Sequence, residues 1–187
     1  MSHGLTPSQT VGPFYWGTLC STYRCDLAPP GVAGERIELV LKLHDTTGAI
    51  VPDGIFELWQ ANSHGRYNHP DDRRNLPLDA GFEGFGRAST DAGGAAYFGT
   101  VKPGRVPWPA GGMQAPHINV SIFARGLLNR LATRVYFDGD PALAEDPVLK
   151  LVEPARRATL IAKRDSNGTW RLPVHLGGPN ETVFFDV

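Results

Sequence analysis

From Ile37 to His44 the chain alternates, with Ile37, Leu39, Leu41 and Leu43 on one face and Glu38, Lys42 and His44 on the other. That is the period of a half-buried β-strand, and Thr46-Thr47-Gly48 supplies the turn that ends it. Comparable runs at 55–60, 96–101, 117–124, 131–137, 159–163, 170–176 and 182–187 predict a succession of short strands. Strands of this length with turns between them predict an all-β fold, a two-sheet β-sandwich. One segment departs from the pattern. Across 147–157, Val148, Leu149, Leu151 and Val152 cluster at helical spacing, which predicts one short helix interrupted by Pro154. The first 35 residues keep no sustained period and carry four prolines. Residues 1–35 are therefore read as an extended N-terminal arm over the domain or a neighbour, and residues 36–187 as the sandwich domain.

Composition supports the all-β reading, because 22 glycines and 16 prolines punctuate any long helix. The formal net charge is -1 and no block of Lys or Arg is long enough to track a phosphate backbone, so nucleic acid is not an expected partner. The N-terminus shows neither the basic start nor the apolar run of a signal peptide, and no later segment has membrane-span character, so the expectation is a cytoplasmic protein. Cys20 and Cys25 match neither a CxxC redox motif nor half of a zinc site. They are read as reduced thiols, with a local disulfide as the alternative.

Three stretches could carry chemistry. In Ala115-Pro116-His117-Ile118-Asn119-Val120, alternation puts His117 and Asn119 on one face. Two imidazoles so spaced can grip one ion, but here the second is an amide, a poor substitute. The other reading of His117 is a hydrogen-bonded histidine at a sheet surface. The second stretch is Glu57-Leu58-Trp59-Gln60-Ala61-Asn62-Ser63-His64-Gly65-Arg66-Tyr67, a strand running into a glycine-containing loop that ends in tyrosine. Trp59 also reads as core and Tyr67 as a loop anchor. The third, Val101-Lys102-Pro103-Gly104-Arg105-Val106-Pro107-Trp108, is a strand end feeding a rigid loop.

These pieces, in this order, resemble the intradiol ring-cleavage dioxygenases, in which two tyrosinates and two histidines hold a mononuclear ferric iron. The resemblance puts the four ligand positions at Tyr67, Val106, His117 and Asn119. Two of the four have lost their donor groups, and neither valine nor a neutral amide replaces a phenolate. One enzyme of the family pairs an iron-bearing β subunit with a homologous α subunit that has lost the metal. The chain is similar to the α type over nearly its whole length, notably at Thr6–Phe14, Phe123–Gly126, Thr133–Phe137, Thr159–Arg164 and Asn180–Asp186.

The resemblance implies no metal in this chain, Fe(III) bound by a homologous partner subunit, and a small aromatic acid as substrate. It also implies that Arg134, Thr10, Gly12 and Pro13 line the substrate pocket, with a guanidinium suited to a carboxylate. Arg134 also reads as an ordinary ion-pair residue, and Gly12 and Pro13 as turn formers. Two further readings stay open. One is a self-sufficient metalloenzyme using Tyr67, His117 and His64 or His69. The other is a non-catalytic sandwich that binds a ligand or serves as a scaffold.

Overall fold

A computed structural model describes residues 4–12, 14–20 and 23–187, with only the backbone described at Trp16 and Cys20. Eight strands form one continuous sheet: β1 (Arg36–His44), β2 (Ile55–Trp59), β3 (Phe85–Ser89), β4 (Ala95–Val101), β7 (His117–Phe123), β8 (Leu131–Phe137), β9 (Ile161–Arg164) and β10 (Trp170–His175). Their order is β3-β2-β7-β8-β9-β10-β1-β4. The short β5 (Val106–Pro107) and β6 (Met113–Gln114) make a separate hairpin.

The sheet folds into two facing layers, and β9 is the corner between them. Its Ile161 and Ala162 pair in parallel with β8, whereas Lys163 and Arg164 pair antiparallel with β10. Apolar faces meet inside. Leu39, Leu41 and Leu43 of β1 share one core with Phe56 and Leu58 of β2, Ile118, Val120 and Ile122 of β7, and Val135 and Phe137 of β8. The alternation read in the sequence is therefore the alternation of core and surface, and burial of these side chains is the main stabilising term.

Residues 24–28 belong to this architecture. Arg24 bridges to Arg87 on β3, Asp26 bridges to Gly99 on β4, and Leu27 and Ala28 are buried. The segment thus spans the two edge strands. Gly86 leaves room for it, because a Cβ there would lie 2.5 Å from Leu27 Cδ1.

The expected helix is α2 (Pro147–Leu151), and the chain beyond it turns at Pro154 into a 3-10 segment, Pro154–Leu160. Asp146 caps α2 and Pro147 occupies its first turn, the arrangement that satisfies otherwise orphaned amides. Besides β3 and the β5–β6 hairpin, which the sequence reading does not predict, three further local differences stand against it. An additional helix, α1 (Phe14–Cys20), lies in the arm; the run at 159–163 starts in the 3-10 turn; and the tail from Thr182 makes only a single bridge, Phe185 to Ala132. Cys25 is a free, exposed thiol.

Candidate functional site

The two glycine-containing loops interlock. Asn62 organises the first: its Oδ1 accepts from the amides of His64 and Arg66, and its Nδ2 donates to Pro77 O and Asp79. The loop then closes on the second, with Gly104 N donating to Asn62 O at 2.9 Å. No side chain fits at the crossing. A Cβ on Gly65, whose φ is +77°, would lie 2.1 Å from Arg105 O, and one on Gly104 would lie 2.5 Å from Gly65 N. This packing sets Tyr67 and Val106 along one open cleft of about 950 Å³, with Trp59, Trp108 and Gln114. Tyr67 stacks on Trp59 with ring centroids 5.7 Å apart, and its amide donates to Asp72. Asp72 also accepts from Arg74, which holds its carboxyl well below the usual carboxylate range.

The strands supply the other side. On the outer face, register aligns Trp59 with Asn119 and Asn119 with Arg134, while His117 pairs with Tyr136. Asn119 Nδ2 donates to the Tyr67 hydroxyl across 3.4 Å, so Tyr67, Asn119 and Arg134 form one group. Val106 and His117 are both buried. His117 Nδ1 donates to Ala115 O at 2.8 Å, leaving Nε2 as the lone-pair nitrogen. Burial first, and the Arg134 charge second, hold its pKa down to about 4.

The donor set does not fit ferric iron. Val106 offers no donor, Asn119 offers a neutral amide, and burial pushes the Tyr67 phenol above its ordinary value, so the phenolate is disfavoured. Among the described residues, no group of three His, Cys, Asp or Glu side chains could hold a metal ion. His69 instead packs edge-on against Trp59. Ferric iron added to the isolated chain is expected to give no phenolate-to-iron absorption band. A stoichiometric coloured site would overturn this reading.

Arg134 faces a second cleft of about 700 Å³, lined also by Trp108, Arg130, Arg156, Phe184 and Phe185. Its Nη1 donates to Gln114 Oε1 at 2.8 Å and to the Tyr136 hydroxyl at 3.2 Å, and its guanidinium lies 5.8 Å from the Phe185 ring centre. The arm residues lie elsewhere. Thr10 accepts from Gly126 N beyond the far end of β7, Gly12 O accepts from Tyr15 N, and Pro13 lies outside the described residues. The structure therefore brings Arg134 beside Tyr67, Asn119 and His117 but not Thr10 or Gly12. Sequence reasoning missed Gln114, Tyr136 and Asp146. Tyr136 was findable, two residues beyond Arg134 on the same strand face, and so was Asp146, as a cap before Pro147; no local signal marks Gln114.

Comparison with known proteins places this geometry. A dioxygenase family profile matches residues 27–172. The chain is 42% identical to the protocatechuate 3,4-dioxygenase alpha chain of Burkholderia cepacia, covering 97% of each, and 43% identical to that of Pseudomonas putida, covering 97% of this chain and 96% of the relative. The Burkholderia cepacia beta chain is 42% identical over 70% of this chain and 56% of its own length. Among solved structures, catechol 1,2-dioxygenase from Acinetobacter sp. ADP1 superposes with a TM-score of 0.60 at 19% identity, covering 86% of this chain and 60% of that one, which speaks to fold alone. A profile match across the core and alignment with alpha chains over 97% of its length carry one conclusion: the chain belongs to the intradiol ring-cleavage dioxygenase family.

Proposed function

We propose that this chain is the iron-free α subunit of a cytoplasmic protocatechuate 3,4-dioxygenase. It completes the substrate pocket of a homologous, iron-bearing β subunit. The assembled enzyme cleaves 3,4-dihydroxybenzoate between its hydroxylated carbons, with both atoms of O₂ entering 3-carboxy-cis,cis-muconate. The observation that carries the reading is the mismatch at the former metal position. The loops and strands that build it are intact, yet Val106 and Asn119 remove two donors. Ring-cleaving chemistry therefore belongs to the partner, and this chain's residues bind, orient and exclude water.

Arg134 has the strongest claim on substrate. Its Nη1 is engaged inside the protein, and no protein acceptor meets its Nε or Nη2 among the described residues. A guanidinium presenting a free edge matches a carboxylate in a two-pronged contact. Trp108 and Phe184 add apolar walls for an aromatic ring and Arg130 adds a second positive charge, while Arg156 is paired with Glu181, and Glu153 and Asp186 line the same cleft. Thr10, Gly12 and Pro13 are proposed as a separate contribution, made by the arm to a partner's pocket from the other end of β7. Leu5 and Phe14 of that arm are almost fully exposed, consistent with a surface that a partner covers.

Co-production with a β homologue tests the reading. The complex should bury more than roughly 1,000 Å² between subunits, contain iron, and consume substrate only with O₂, whereas this chain alone should be inactive. Turnover by the chain alone, or a complex that stays active when the β ligands are substituted, would refute it.

A further inference from the structure

Arg134 sits in an unusual setting for a residue meant to meet a substrate, because its inner side is anchored by a buried chain of polar groups. The chain starts at Asp146, which is fully buried. Asp146 Oδ1 accepts from the amides of Val148 and Leu149 and from the Tyr136 hydroxyl, at 2.9, 2.7 and 3.2 Å, and its Oδ2 accepts from Ala115 N at 2.7 Å. Tyr136, with its proton committed to Asp146, offers its oxygen lone pair to Arg134 Nη1. On the other side Gln114, itself only 6% exposed, donates Nε2 to Pro107 O, which orients the amide so that Oε1 faces Arg134. One nitrogen thus has two acceptors, one anchored in the cap of α2 and the other in the β5–β6 hairpin.

We propose that Gln114 and Tyr136 are positioning residues that fix the Arg134 guanidinium, with its free edge toward the cleft, and so set discrimination for a carboxylated aromatic substrate. The proposal rests on the reading of Arg134 as the carboxylate contact. The physical reason is entropic. A free arginine side chain samples many rotamers, and ordering it at the moment of binding weakens the complex. An arginine already held on its inner edge loses less. Charge supports the same geometry. Burial raises the Tyr136 phenol well above its ordinary value, so it remains a neutral hydroxyl that can donate to Asp146 while accepting from Arg134.

The test uses the reconstituted α/β complex and the ratio of kcat/KM for 3,4-dihydroxybenzoate to that for catechol, which lacks the carboxylate. Y136F removes the acceptor and keeps the ring, and Q114L removes the other acceptor without touching Asp146. Each should lower the ratio roughly 2- to 10-fold, through KM for the carboxylated substrate, with kcat little changed and assembly and iron content intact. Should Y136F weaken folding, because it leaves Asp146 one donor short, Q114L carries the test, and Q114E should restore an acceptor and part of the ratio. In an R134A background Y136F and Q114L should change the ratio no further. Unchanged ratios in Y136F and Q114L, with R134A selective, would overturn the positioning role alone. Equal losses on both substrates in R134A would overturn the underlying reading, and further losses in the R134A background would show that the two residues act by another route.

Discussion

Replacing Arg134 by alanine in the assembled complex is expected to lower kcat/KM for 3,4-dihydroxybenzoate by roughly 10- to 150-fold and to leave catechol much less affected. The magnitude comes from a charge-assisted hydrogen bond, about 1.5–3 kcal/mol, at about 1.4 kcal/mol per tenfold. Selectivity is the decisive part. Loss of packing against Phe185 or of the bonds to Gln114 and Tyr136 would impair any ring substrate, whereas loss of a carboxylate contact impairs only the substrate that has one. Sizing and iron content establish assembly before kinetics are compared. Equal losses would assign Arg134 to the pocket wall.

Acidification is expected to destabilise the fold between pH 6.5 and 4, with roughly 3 kcal/mol attributable to His117. The imidazole is buried, and its pKa falls from 6.5 to about 4 in the folded chain. Between those values the unfolded chain binds a proton that the folded chain does not. The stabilisation is complete above pH 6.5 and is lost as pH falls through the folded pKa. His175, depressed by burial and by the adjacent His44 with which it stacks, contributes in the same direction. Urea unfolding at several pH values, compared with H117Q, checks the assignment. The variant should show a shallower dependence of stability on pH across this window, and parallel curves would remove His117 as the cause.

Much of the fold was legible in the sequence where one face of a strand is buried and the other is wet. The bounds of β8 match the predicted 131–137 run, and those of β1 and β10 differ from their predicted runs by a single residue, because alternation reports burial directly. β3 was missed because Phe85-Gly86-Arg87-Ala88-Ser89 has little apolar content of its own. Its place is set by Leu27, more than fifty residues earlier, over a glycine. The tail from Thr182 reads as a strand but pairs at one point, since it crosses β8 as a cover with Phe185 beneath Arg134. Tyr67, His117 and Asn119 could be singled out in the sequence because motif spacing marks them, and the contact of Asn119 with the Tyr67 hydroxyl brings two of them together. The anchoring of Arg134 was not legible there, because Gln114 on the β5–β6 hairpin and Tyr136 with the α2 cap Asp146 reach it only through tertiary docking against β8.

The passage of Arg24 to Ala28 across both edge strands gives the two parts of the N-terminal segment different tolerances to cleavage. A bare sheet edge is a template on which another molecule can add a strand, and this sheet has two such edges, β3 and β4, occupied by the same short stretch. A protease that trimmed the chain before Arg24 would take away the exposed portion that carries Leu5 and Phe14 and leave the seam shut. A cut just beyond Ala28 would leave the sealing peptide held only by its own few contacts, and its departure would expose both edges at once, side by side where the two layers meet. The same few residues that finish the fold therefore also shield both edge strands from pairing with another molecule.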